Sequence, residues 1–405
     1  MAYFPADPRL LLSDMARPVL PDAPITPCLV VEPTRMKRNI DRLAGHLDHH
    51  GVTLRPHLKT CKNIDIAKLL LAGQAGGATV STLAEADYFH AHGISDLLYA
   101  VGIAPGKLPA VIERLNAGMQ LSLILDHVDT ARACAQAARQ SGHRLKLLLE
   151  IDADGQRAGL RPNSPMISAI VDALGSDCEL AGVMVHAGGS YACTSTADIT
   201  AMAETERLAA LDAVGRLRAL GLEAPVVSVG STPTASLGQC FDGITEVRAG
   251  VHVFQDLVMA GLGVCSVDDI ALSVMTEVIG HRPEHNRLII DAGWMALSRD
   301  LGRAPDAPDL GYGLVCDDQW ASRESLVVAA CNQEHGLVST RDGKALDFAR
   351  YPIGTVLRVL PNHACATAAQ HAGYWLENEC SPTANDANRP GRFTEWRWLP
   401  RCHGW

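Results

Sequence analysis

Three polar clusters in the sequence carry residue types that can do chemistry. The first, RPHLKT at residues 55–60, places Lys59 where an apolar, extended-looking stretch ends. The second, SVGSTPTAS at residues 228–236, combines a glycine with several hydroxyl side chains. The third, PNHACAT at residues 361–367, sets His363 and Cys365 two residues apart. Each cluster follows a strand-like run, so whether the three meet depends on the fold.

Each cluster has a chemical and a purely structural interpretation. Lys59 is either a solvated lysine or, beside Arg55, His57 and a phosphate site, an amine that forms a Schiff base. The free N–H groups and hydroxyls of GSTPT (230–234) suit a phosphate, and the same letters describe a helix N-cap. His363 and Cys365 face one side of an extended segment, where they can bind one metal ion or form a structural pair.

A further pair of candidate ligands lies in NQEHG, at residues 332–336. Glu334 and His335 have side chains that bind metals or orient metal ligands. Their alternative role is that of a polar hairpin turn between two strands. The sequence leaves both interpretations open.

Eight short runs of β-branched residues or leucines alternate with segments of helical periodicity, which indicates alternating strands and helices. The predicted strands are 52–59, 78–83, 96–101, 121–126, 146–152, 180–187, 226–231 and 246–254. Their apolar character predicts strands buried on both faces, as in a parallel (β/α)8 TIM-type barrel over residues 27–260. The rival doubly wound sheet lacks its Gly-x-Gly-x-x-Gly motif after the first strand.

The pattern of apolar and polar residues changes after the predicted barrel. Residues 261–405 alternate apolar and polar positions without long helical runs, which predicts a mainly antiparallel β domain, with residues 1–26 associated with it. This domain carries the candidate metal segment. The segment at residues 300–313, rich in proline, glycine and aspartate, is a candidate lid or edge of the site.

Composition excludes several classes of partner. The chain has 405 residues, 47% of them hydrophobic and 20% charged, with a net charge of −10. This acidic balance argues against nucleic acid as the main partner, because phosphate backbones need a basic face. We expect no secretory signal and no membrane span, because no apolar run has the required length or flanks. The twelve scattered cysteines predict reduced thiols in a cytoplasmic protein.

In a (β/α)8 barrel the chemistry lies at the carboxyl ends of the strands. Lys59 ends the first predicted strand and Arg157 follows the fifth, HAGGSY with His186 and Tyr191 ends the sixth, and GSTPT ends the seventh. A lysine that forms a Schiff base opposite a phosphate site is what pyridoxal 5′-phosphate requires. Sugar-phosphate aldolases also combine a barrel lysine with a phosphate site, so the residues alone leave that alternative open.

The motifs, taken together and in order, resemble the fold type III pyridoxal phosphate enzymes, which have an alanine-racemase-like barrel. Within these enzymes they are similar to the D-serine dehydratase and D-threonine aldolase family. The resemblance covers almost the whole chain through RPHLKT, EIDADGQRAG, HAGGSY, SVGSTPT, EVRAGVHVFQD, IIDAGW, NQEHG and LPNHACAT. Eight motifs in sequence are far more specific than any one of them.

The resemblance implies a role for each matching residue. Lys59 would carry pyridoxal 5′-phosphate, Arg157 would lie near its ring, and His363 and Cys365 would bind a divalent metal. Zinc is the first choice of metal, with manganese, magnesium or cobalt as alternatives. The resemblance further assigns to the cofactor site His186, Tyr191, Gly230, Ser231, Thr232, Gly250 and Val251. Arg248 occupies a strand position used for the ring nitrogen in alanine racemases. His252 departs from the family, which has tyrosine there.

The implied reaction is dehydration of a D-β-hydroxy amino acid, such as D-threo-3-hydroxyaspartate or D-serine, to a 2-oxo acid and ammonia. Lys59 would remove the α-proton while the metal draws off the β-hydroxyl. The alternatives are a metal-activated aldolase that cleaves Cα–Cβ to glycine and an aldehyde, and a non-catalytic protein of pyridoxal phosphate homeostasis. Cys365 favours the dehydratase. Arg299 and Arg303 are candidates to recognise a β-carboxylate, and the family resemblance implies a homodimer.

Overall fold

The computed structural model describes residues 23–74, 76–300, 302, 309–321, 326–380 and 393–405. These residues form seventeen strands. In chain order the strands are β1 (Cys28–Val31), β2 (Thr53–Pro56), β3 (Ala78–Val80), β4 (Asp96–Gly102), β5 (Gln120–Leu125), β6 (Leu145–Ile151), β7 (Cys178–Val185), β8 (Val226–Val229), β9 (Glu246–Ala249), β10 (Leu272–Arg282), β11 (Arg287–Ile290), β12 (Leu314–Asp317), β13 (Leu326–Cys331), β14 (Gly336–Thr340), β15 (Val356–Leu360), β16 (Gly373–Cys380) and β17 (Phe393–Pro400).

The same residues form eleven α-helices, most of which lie between barrel strands. They are α1 (Pro33–His49), α2 (Ile64–Leu71), α3 (Leu83–Ala91), α4 (Leu108–Asn116), α5 (Val128–Ser141), α6 (Met166–Leu174), α7 (Thr196–Ala219), α8 (Thr232–Leu237), α9 (Leu257–Gly261), α10 (Trp294–Leu297) and α11 (Ala364–Ala368). Short 3₁₀ turns lie at Pro105–Lys107, Gly188–Ala192, Val251–Val253, Val267–Asp269, Pro283–His285 and Phe348–Arg350.

The strands β2 to β9 form one parallel sheet that curls into a nearly closed barrel. Their order is β2-β9-β8-β7-β6-β5-β4-β3, and a parallel bridge between His57 and Thr79 joins the two ends. All eight predicted strands are present, which confirms the alanine-racemase-like (β/α)8 barrel. The strands are buried on both faces because helices cover the outside and side chains fill the inside.

Local sequence signals set the helix boundaries around the barrel. Asn63 precedes α2, and its side chain accepts a hydrogen bond from the Ile66 N–H at 3.0 Å. Thr82 does the same for α3 through the Glu85 N–H, also at 3.0 Å. Gly142 ends α5 in the left-handed conformation with φ of 74°. These are the capping residues that satisfy the free backbone groups of helix ends.

The other nine strands form a second, mainly antiparallel sheet, as predicted for the C-terminal region. Their order is β11-β14-β13-β12-β15-β10-β1-β16-β17, and an additional pairing of β11 with β10 makes part of the sheet barrel-like. One neighbouring pair, β1 with β16, is parallel. The sheet carries the turn from β15 to α11 that holds His363 and Cys365.

Strand β1 lies in the second sheet, although its residues fall inside the range predicted for the barrel. Residue 27 was the predicted start of the barrel, but β1 pairs with β10 and β16 of the second sheet. All four of its side chains are buried there, so the chain enters the barrel only after it has supplied a central strand to the other domain. The prediction for residues 1–26 falls mostly outside the described residues, as does Arg303.

The structure bears on two expectations about the environment of the chain. In the described part of the chain, no helix combines the length and the apolar character that a membrane span needs. The eleven cysteines whose side chains are described are all free thiols.

Arg55, which the sequence analysis placed beside Lys59, faces the opposite end of the barrel. Its Nε donates to Glu246 Oε2 at 2.7 Å, and its Nη2 donates to Asp96 Oδ2 at 2.9 Å. Asp96 and Glu246 begin β4 and β9, so the cluster fills the amino end of the barrel. Arg55 and Glu246 side chains are each only 11% exposed. The ion pair therefore stabilises the barrel and takes no part in the cavity at the carboxyl ends.

We expect Arg55→Met to lower the free energy of unfolding by about 3 kcal/mol, because Glu246 would stay buried without its partner. Urea denaturation measures this change. Arg132→Met is the matched control, since Arg132 pairs with Asp129 on the exposed surface of α5 and such pairs contribute about 1 kcal/mol or less. Equal losses in the two variants would contradict the structural role of Arg55.

Candidate active site

The turn that carries Lys59 is fixed on both sides. Its Leu58 side chain is fully buried, and the Leu58 N–H donates to Thr79 O at 2.8 Å. From the second domain, the Tyr374 hydroxyl donates to Cys61 O at 2.8 Å and lies 3.2 Å from Thr60 O. Lys59 itself is exposed and lines the cavity. The turn thus holds the backbone while leaving the amine free to reach a ligand.

A cavity of about 430 Å³ lies at the carboxyl ends of the barrel strands, closed on one side by the β15–α11 turn. All of the site residues that the sequence analysis assigned to the cofactor or the metal line it. They are Lys59, Arg157, His186, Tyr191, Gly230, Ser231, Thr232, Gly250, Val251, His363 and Cys365. Arg248 and His57 line it as well. Residues up to 306 positions apart in the sequence (Lys59 and Cys365) therefore meet in one place.

The segment after β8 forms a cradle, defined here as residues 230–234. Gly230 has φ of 134°, and a Cβ there would lie 2.2 Å from Arg248 O, so only glycine fits. Ser231 and Thr234 form a capping box at the start of α8. The Thr232 hydroxyl is buried and has no hydrogen-bond partner among the described residues. The motif therefore caps a helix, and it also leaves one buried hydroxyl without a partner in a residue that lines the cavity.

The strand β9 and the turn after β7 complete the walls around the cradle. A Cβ on Gly250 would lie 2.9 Å from Thr60 Oγ1, so the glycine lets two segments approach closely. Tyr191 lies in the 3₁₀ turn after β7, and its hydroxyl accepts a hydrogen bond from the Thr232 backbone N–H. Burial raises the pKa of Tyr191, which keeps the phenol protonated.

Arg248 forms part of the cavity floor and is held rigidly. Its Nη1 donates to Ser228 Oγ and its Nη2 to Val185 O, each at 2.6 Å. Ser228 in turn donates to Glu246 Oε1 at 2.7 Å. Burial lowers the pKa of Arg248 to about 10, so the guanidinium stays charged at neutral pH. The floor therefore carries a fixed positive charge.

Arg157 supplies the second guanidinium of the cavity in a more exposed setting. Its side chain is 59% exposed and its Nη2 lies 3.5 Å from Glu150 Oε1. Glu150 is the second-to-last residue of β6, and the sequence analysis did not single it out because nothing in EIDADGQRAG marks it as the partner of Arg157. Burial raises the pKa of Glu150, and Arg157 opposes that rise. The pair sets the orientation of Arg157.

The two histidines of the cavity wall are neutral at ordinary pH. Burial lowers the pKa of His186 to about 3, and the Arg157 and Arg248 charges act in the same direction. Burial, followed by the charges of Lys59 and Arg248, lowers the pKa of His57 well below its usual range. His186 Nδ1 lies 2.9 Å from Gly230 O, so a neutral ring donates its Nδ1–H there. The histidines therefore add hydrogen bonds to the site without adding charge.

His363 and Cys365 meet, although the segment is not extended as predicted. His363 precedes α11 with extended backbone, whereas Cys365 lies in the first turn of that helix. Both side chains nevertheless line the same cavity, and each acts on the charge of the other. Cys365 Sγ also lies 3.2 Å from Thr60 Oγ1, next to the Lys59 turn. The helix turn, rather than strand alternation, brings the imidazole and the thiol together.

The interaction between His363 and Cys365 favours the charged form of each side chain. Burial opposes both charges, but the hydrogen bond and charge of His363 lower the pKa of Cys365. The Cys365 thiolate, with Asp256 and Asp300, raises the pKa of His363 to about 10 despite burial. A thiolate is the form of cysteine that binds metals.

Two aspartates that the sequence analysis did not single out support this turn. Asp300 Oδ2 lies 2.7 Å from His363 Nδ1, which leaves Nε2 as the free ring nitrogen. Asp256 is buried, and its carboxylate accepts from the Met259 N–H and the Ala364 N–H, each at 2.9 Å. Asp256 could have been recognised as the N-cap of α9, but its bond to Ala364 crosses between domains and has no local signal.

His363 and Cys365 would supply part of the ligand set of a metal ion. Among the described residues, no group of three or more histidine, cysteine, aspartate or glutamate side chains surrounds a common point. An imidazole and a thiolate are the donors that zinc prefers, and two protein ligands leave positions for water and substrate. Glu334 and His335 are exposed in the β13–β14 turn and do not line the cavity. Of their two predicted roles, they therefore have that of a polar hairpin turn.

Only some of the residues that were predicted to form the edge of the site or to bind the substrate line the cavity. Asp300 and Gly302 of the 300–313 segment line it. Arg299 instead stacks on the Trp294 ring at 4.0 Å and is not part of the lining. Most of the remaining segment lies outside the described residues.

Comparisons with known proteins agree with this architecture. Residues 31–257 match the model "Alanine racemase, N-terminal domain", and residues 271–376 match "Putative serine dehydratase domain". D-threo-3-hydroxyaspartate dehydratase of Delftia sp. (strain HT23) is 46% identical over 384 residues, covering 94% of this chain and 98% of that protein. D-serine dehydratase of Dictyostelium discoideum is 29% identical over 384 residues, covering 89% and 95%.

The solved structure of the Delftia dehydratase superimposes with a TM-score of 0.89 at 44% identity and covers 95% of this chain and 99% of that one. A cysteine-to-alanine mutant of the same enzyme, described as the metal-free form, matches equally well. The fold and the sequence together define a fold type III pyridoxal phosphate enzyme. The chain belongs to the family that contains D-threo-3-hydroxyaspartate dehydratase and the D-serine dehydratases.

His252, the departure from the family pattern, is a buried histidine outside the cavity. It is 1% exposed, and among the described residues neither ring nitrogen has a hydrogen-bond partner. Burial lowers its pKa to about 3. The unfolded chain therefore binds a proton at His252 near the ordinary pKa of 6.5, while the folded chain does not, so His252 destabilises the fold as pH falls below 6.5.

We expect His252→Phe to remove this pH-dependent loss. Relative to wild type, the free energy of unfolding of the variant should rise by about 1.4 kcal/mol between pH 8 and pH 5.5. Urea denaturation at the two pH values measures the change, and any difference in packing cancels in the comparison. The same wild-type-to-variant difference at both pH values would contradict a neutral buried imidazole.

Proposed function

We propose that this chain is a dehydratase of D-β-hydroxy amino acids that depends on pyridoxal 5′-phosphate and a divalent metal. D-threo-3-hydroxyaspartate and D-serine are the proposed substrates, and a 2-oxo acid and ammonia are the products. The observation that carries the proposal is the shared cavity, in which Lys59, the cradle and the His363–Cys365 pair lie together. The 46% identity to the Delftia dehydratase supports the choice of reaction.

The residues around Lys59 suit pyridoxal 5′-phosphate. The unpartnered Thr232 hydroxyl and the glycine-lined backbone at residues 230 and 250 offer room and a donor to a phosphate. Tyr191 closes one side and Arg248 fixes a positive charge on the floor. Arg157 and His186 would lie against the ring. When bound to Lys59, the cofactor supplies an electron sink that makes the α-proton of an amino acid removable.

In this proposal Lys59 has a second task when an amino acid substrate is bound. Its Nζ takes the proton from the substrate Cα and holds it. The neutral His57 lies beside it, with Lys59 N 3.5 Å from His57 Nδ1, and adds no competing charge. The Thr60 and Cys61 carbonyls, held by Tyr374, keep the amine aimed into the cavity.

His363 Nε2 and Cys365 Sγ would hold the metal, and Asp300 and Asp256 would orient them. A divalent ion there supplies Lewis acidity toward the β-hydroxyl that leaves. Loss of water across Cα–Cβ gives an enamine, which takes up water and releases ammonia. D-serine then yields pyruvate, and D-threo-3-hydroxyaspartate yields oxaloacetate, with water lost and regained in balance.

An aldolase would use the same residues but cleave Cα–Cβ. Cys365 in the metal segment is the residue that favours the dehydratase. A non-catalytic role in cofactor homeostasis is disfavoured by the second domain, because it brings His363 and Cys365 to the cavity mouth. A cytoplasmic location and a homodimer stay predictions, the first supported by the free thiols.

The purified protein should form pyruvate and ammonia from D-serine, and oxaloacetate from D-threo-3-hydroxyaspartate. Lys59→Ala should lose the cofactor absorbance band and at least 10³-fold in turnover, roughly the scale of removing a catalytic nucleophile and base. Coupled product assays and absorption spectra measure both. Formaldehyde and glycine without pyruvate would identify an aldolase, and full activity in Lys59→Ala would contradict the cofactor assignment.

Asp300→Asn should weaken zinc binding by about 10- to 100-fold, because His363 would lose the carboxylate that orients its ring. Competition with a chromophoric chelator measures the affinity in the full-length protein. Asp342→Asn is the control, since Asp342 pairs with Lys344 on the surface far along the chain. Unchanged zinc affinity in Asp300→Asn would contradict the proposed support of His363.

A further inference from the structure

Helix α7 places one carboxylate in the interior, directly against the cradle. Glu206 is 1% exposed, whereas Glu204 on the same helix is 44% exposed and pairs with Arg207 at 2.6 Å. Nothing in the sequence of α7 distinguishes the two glutamates as functional. The structure alone shows that one of them faces inward toward residues 230–234.

Glu206 accepts three hydrogen bonds from three different segments. Its Oε1 accepts from the Ala187 N–H and the Gly230 N–H, each at 2.9 Å. Its Oε2 accepts from the Thr234 hydroxyl at 2.8 Å. These donors follow β7, follow β8 and lie in the first turn of α8. One carboxylate therefore ties together the three pieces of backbone that form the rear of the cradle.

The network continues from Glu206 to the cavity surface. The Ser231 N–H donates to Thr234 Oγ1 at 3.0 Å, and Ser231 Oγ lies 2.9 Å from both Thr234 Oγ1 and Ser190 Oγ. These bonds commit the Gly230 N–H and the Ser231 N–H to partners inside the protein. The Thr232 hydroxyl is buried and is left without a partner among the described residues, and Thr232 is one of the residues that line the cavity.

The charge environment of Glu206 indicates that its place has a purpose beyond packing. Within the described residues no lysine or arginine forms an ion pair with it, and burial raises the pKa of its carboxyl. Three donors offset that burial, with a smaller contribution from the Arg248 charge. A buried carboxylate is costly, and an apolar residue would fill the space at lower cost. What an apolar residue cannot do is fix the direction of two N–H groups and a hydroxyl.

We propose that Glu206 is the positioning residue of the phosphate site: it orders the cradle so that the unpartnered Thr232 hydroxyl is held in place to bind a phosphate monoester. The proposal rests on the proposed function, in which that monoester belongs to pyridoxal 5′-phosphate. Glu206 itself contacts no ligand. It acts through its hydrogen bonds to Gly230 and Thr234, which fix the backbone of the cradle at the cavity wall.

The test compares full-length variants freed of cofactor. Glu206→Gln keeps the shape and can still accept from Ala187 and Gly230, but its NH₂ cannot accept from the Thr234 hydroxyl. Thr234→Val removes the same bond from the other side and keeps Glu206. Glu204→Gln is the matched control on the exposed face of α7. The measurements are the dissociation constant for pyridoxal 5′-phosphate by absorbance titration, the ³¹P resonance of the bound phosphate, and the free energy of unfolding without cofactor.

Glu206→Gln and Thr234→Val should each weaken cofactor binding by about tenfold or more, because a hydrogen bond to a charged group is lost. Each should shift the ³¹P resonance, which a general loss of stability does not move. Glu204→Gln should match wild type in both. If Glu206→Gln does not fold, Thr234→Val gives the same readout.

Wild-type affinity and an unchanged ³¹P resonance in a folded Glu206→Gln, or in Thr234→Val, would overturn the role of Glu206 alone. Lower stability with unchanged affinity would also overturn it, because Glu206 would then serve only the fold. A wild-type chain that binds no pyridoxal 5′-phosphate would overturn the proposed function and this inference with it. The two failures are therefore distinguishable.

Discussion

The contact between the Lys59 turn and the second domain is the constraint on which the site depends. Thr60 Oγ1 lies 3.2 Å from Cys365 Sγ, and the Tyr374 hydroxyl binds the Thr60 and Cys61 carbonyls. Through these bonds the barrel and the antiparallel sheet fix Lys59 and Cys365 relative to each other. The amine comes from one domain and the thiol from the other, so neither domain contains the site by itself.

Buried carboxylates organise the rest of the cavity from behind. Asp256 holds the start of α9 to Ala364, and Glu206 holds the rear of the cradle. Glu246 binds Arg55 on one side and, through Ser228, supports Arg248 on the other. In each case a carboxylate accepts several donors from separate segments, which lowers the cost of its burial. The buried carboxylates thereby fix the positions of side chains at the cavity surface.

The sequence predicted the barrel well because each strand is a short apolar run next to a helix with its own capping residues. It also predicted where Lys59, Arg157 and the cradle would lie, since strand ends in a parallel barrel share one face. It predicted no strand at residues 28–31, because a four-residue run is a weak signal and does not specify its partner. It predicted an extended backbone at Cys365, which lies in a helix, because a His-x-Cys spacing does not specify its conformation. Glu206, Asp256 and Asp300 were missed because their partners are distant along the chain.

The charge of Lys59 reaches both halves of the cavity. It contributes to the lowered pKa of His57 and His186 on the barrel wall and to the lowered pKa of Cys365 on the opposite side. Lys59 lines the same cavity as the cradle residues, His363 and Cys365. A β-hydroxy amino acid has its amino group and its hydroxyl on adjacent carbons, and its α-proton lies between them. In the proposed reaction Lys59 would take that proton, and His363 and Cys365 would hold the metal that acts on the hydroxyl.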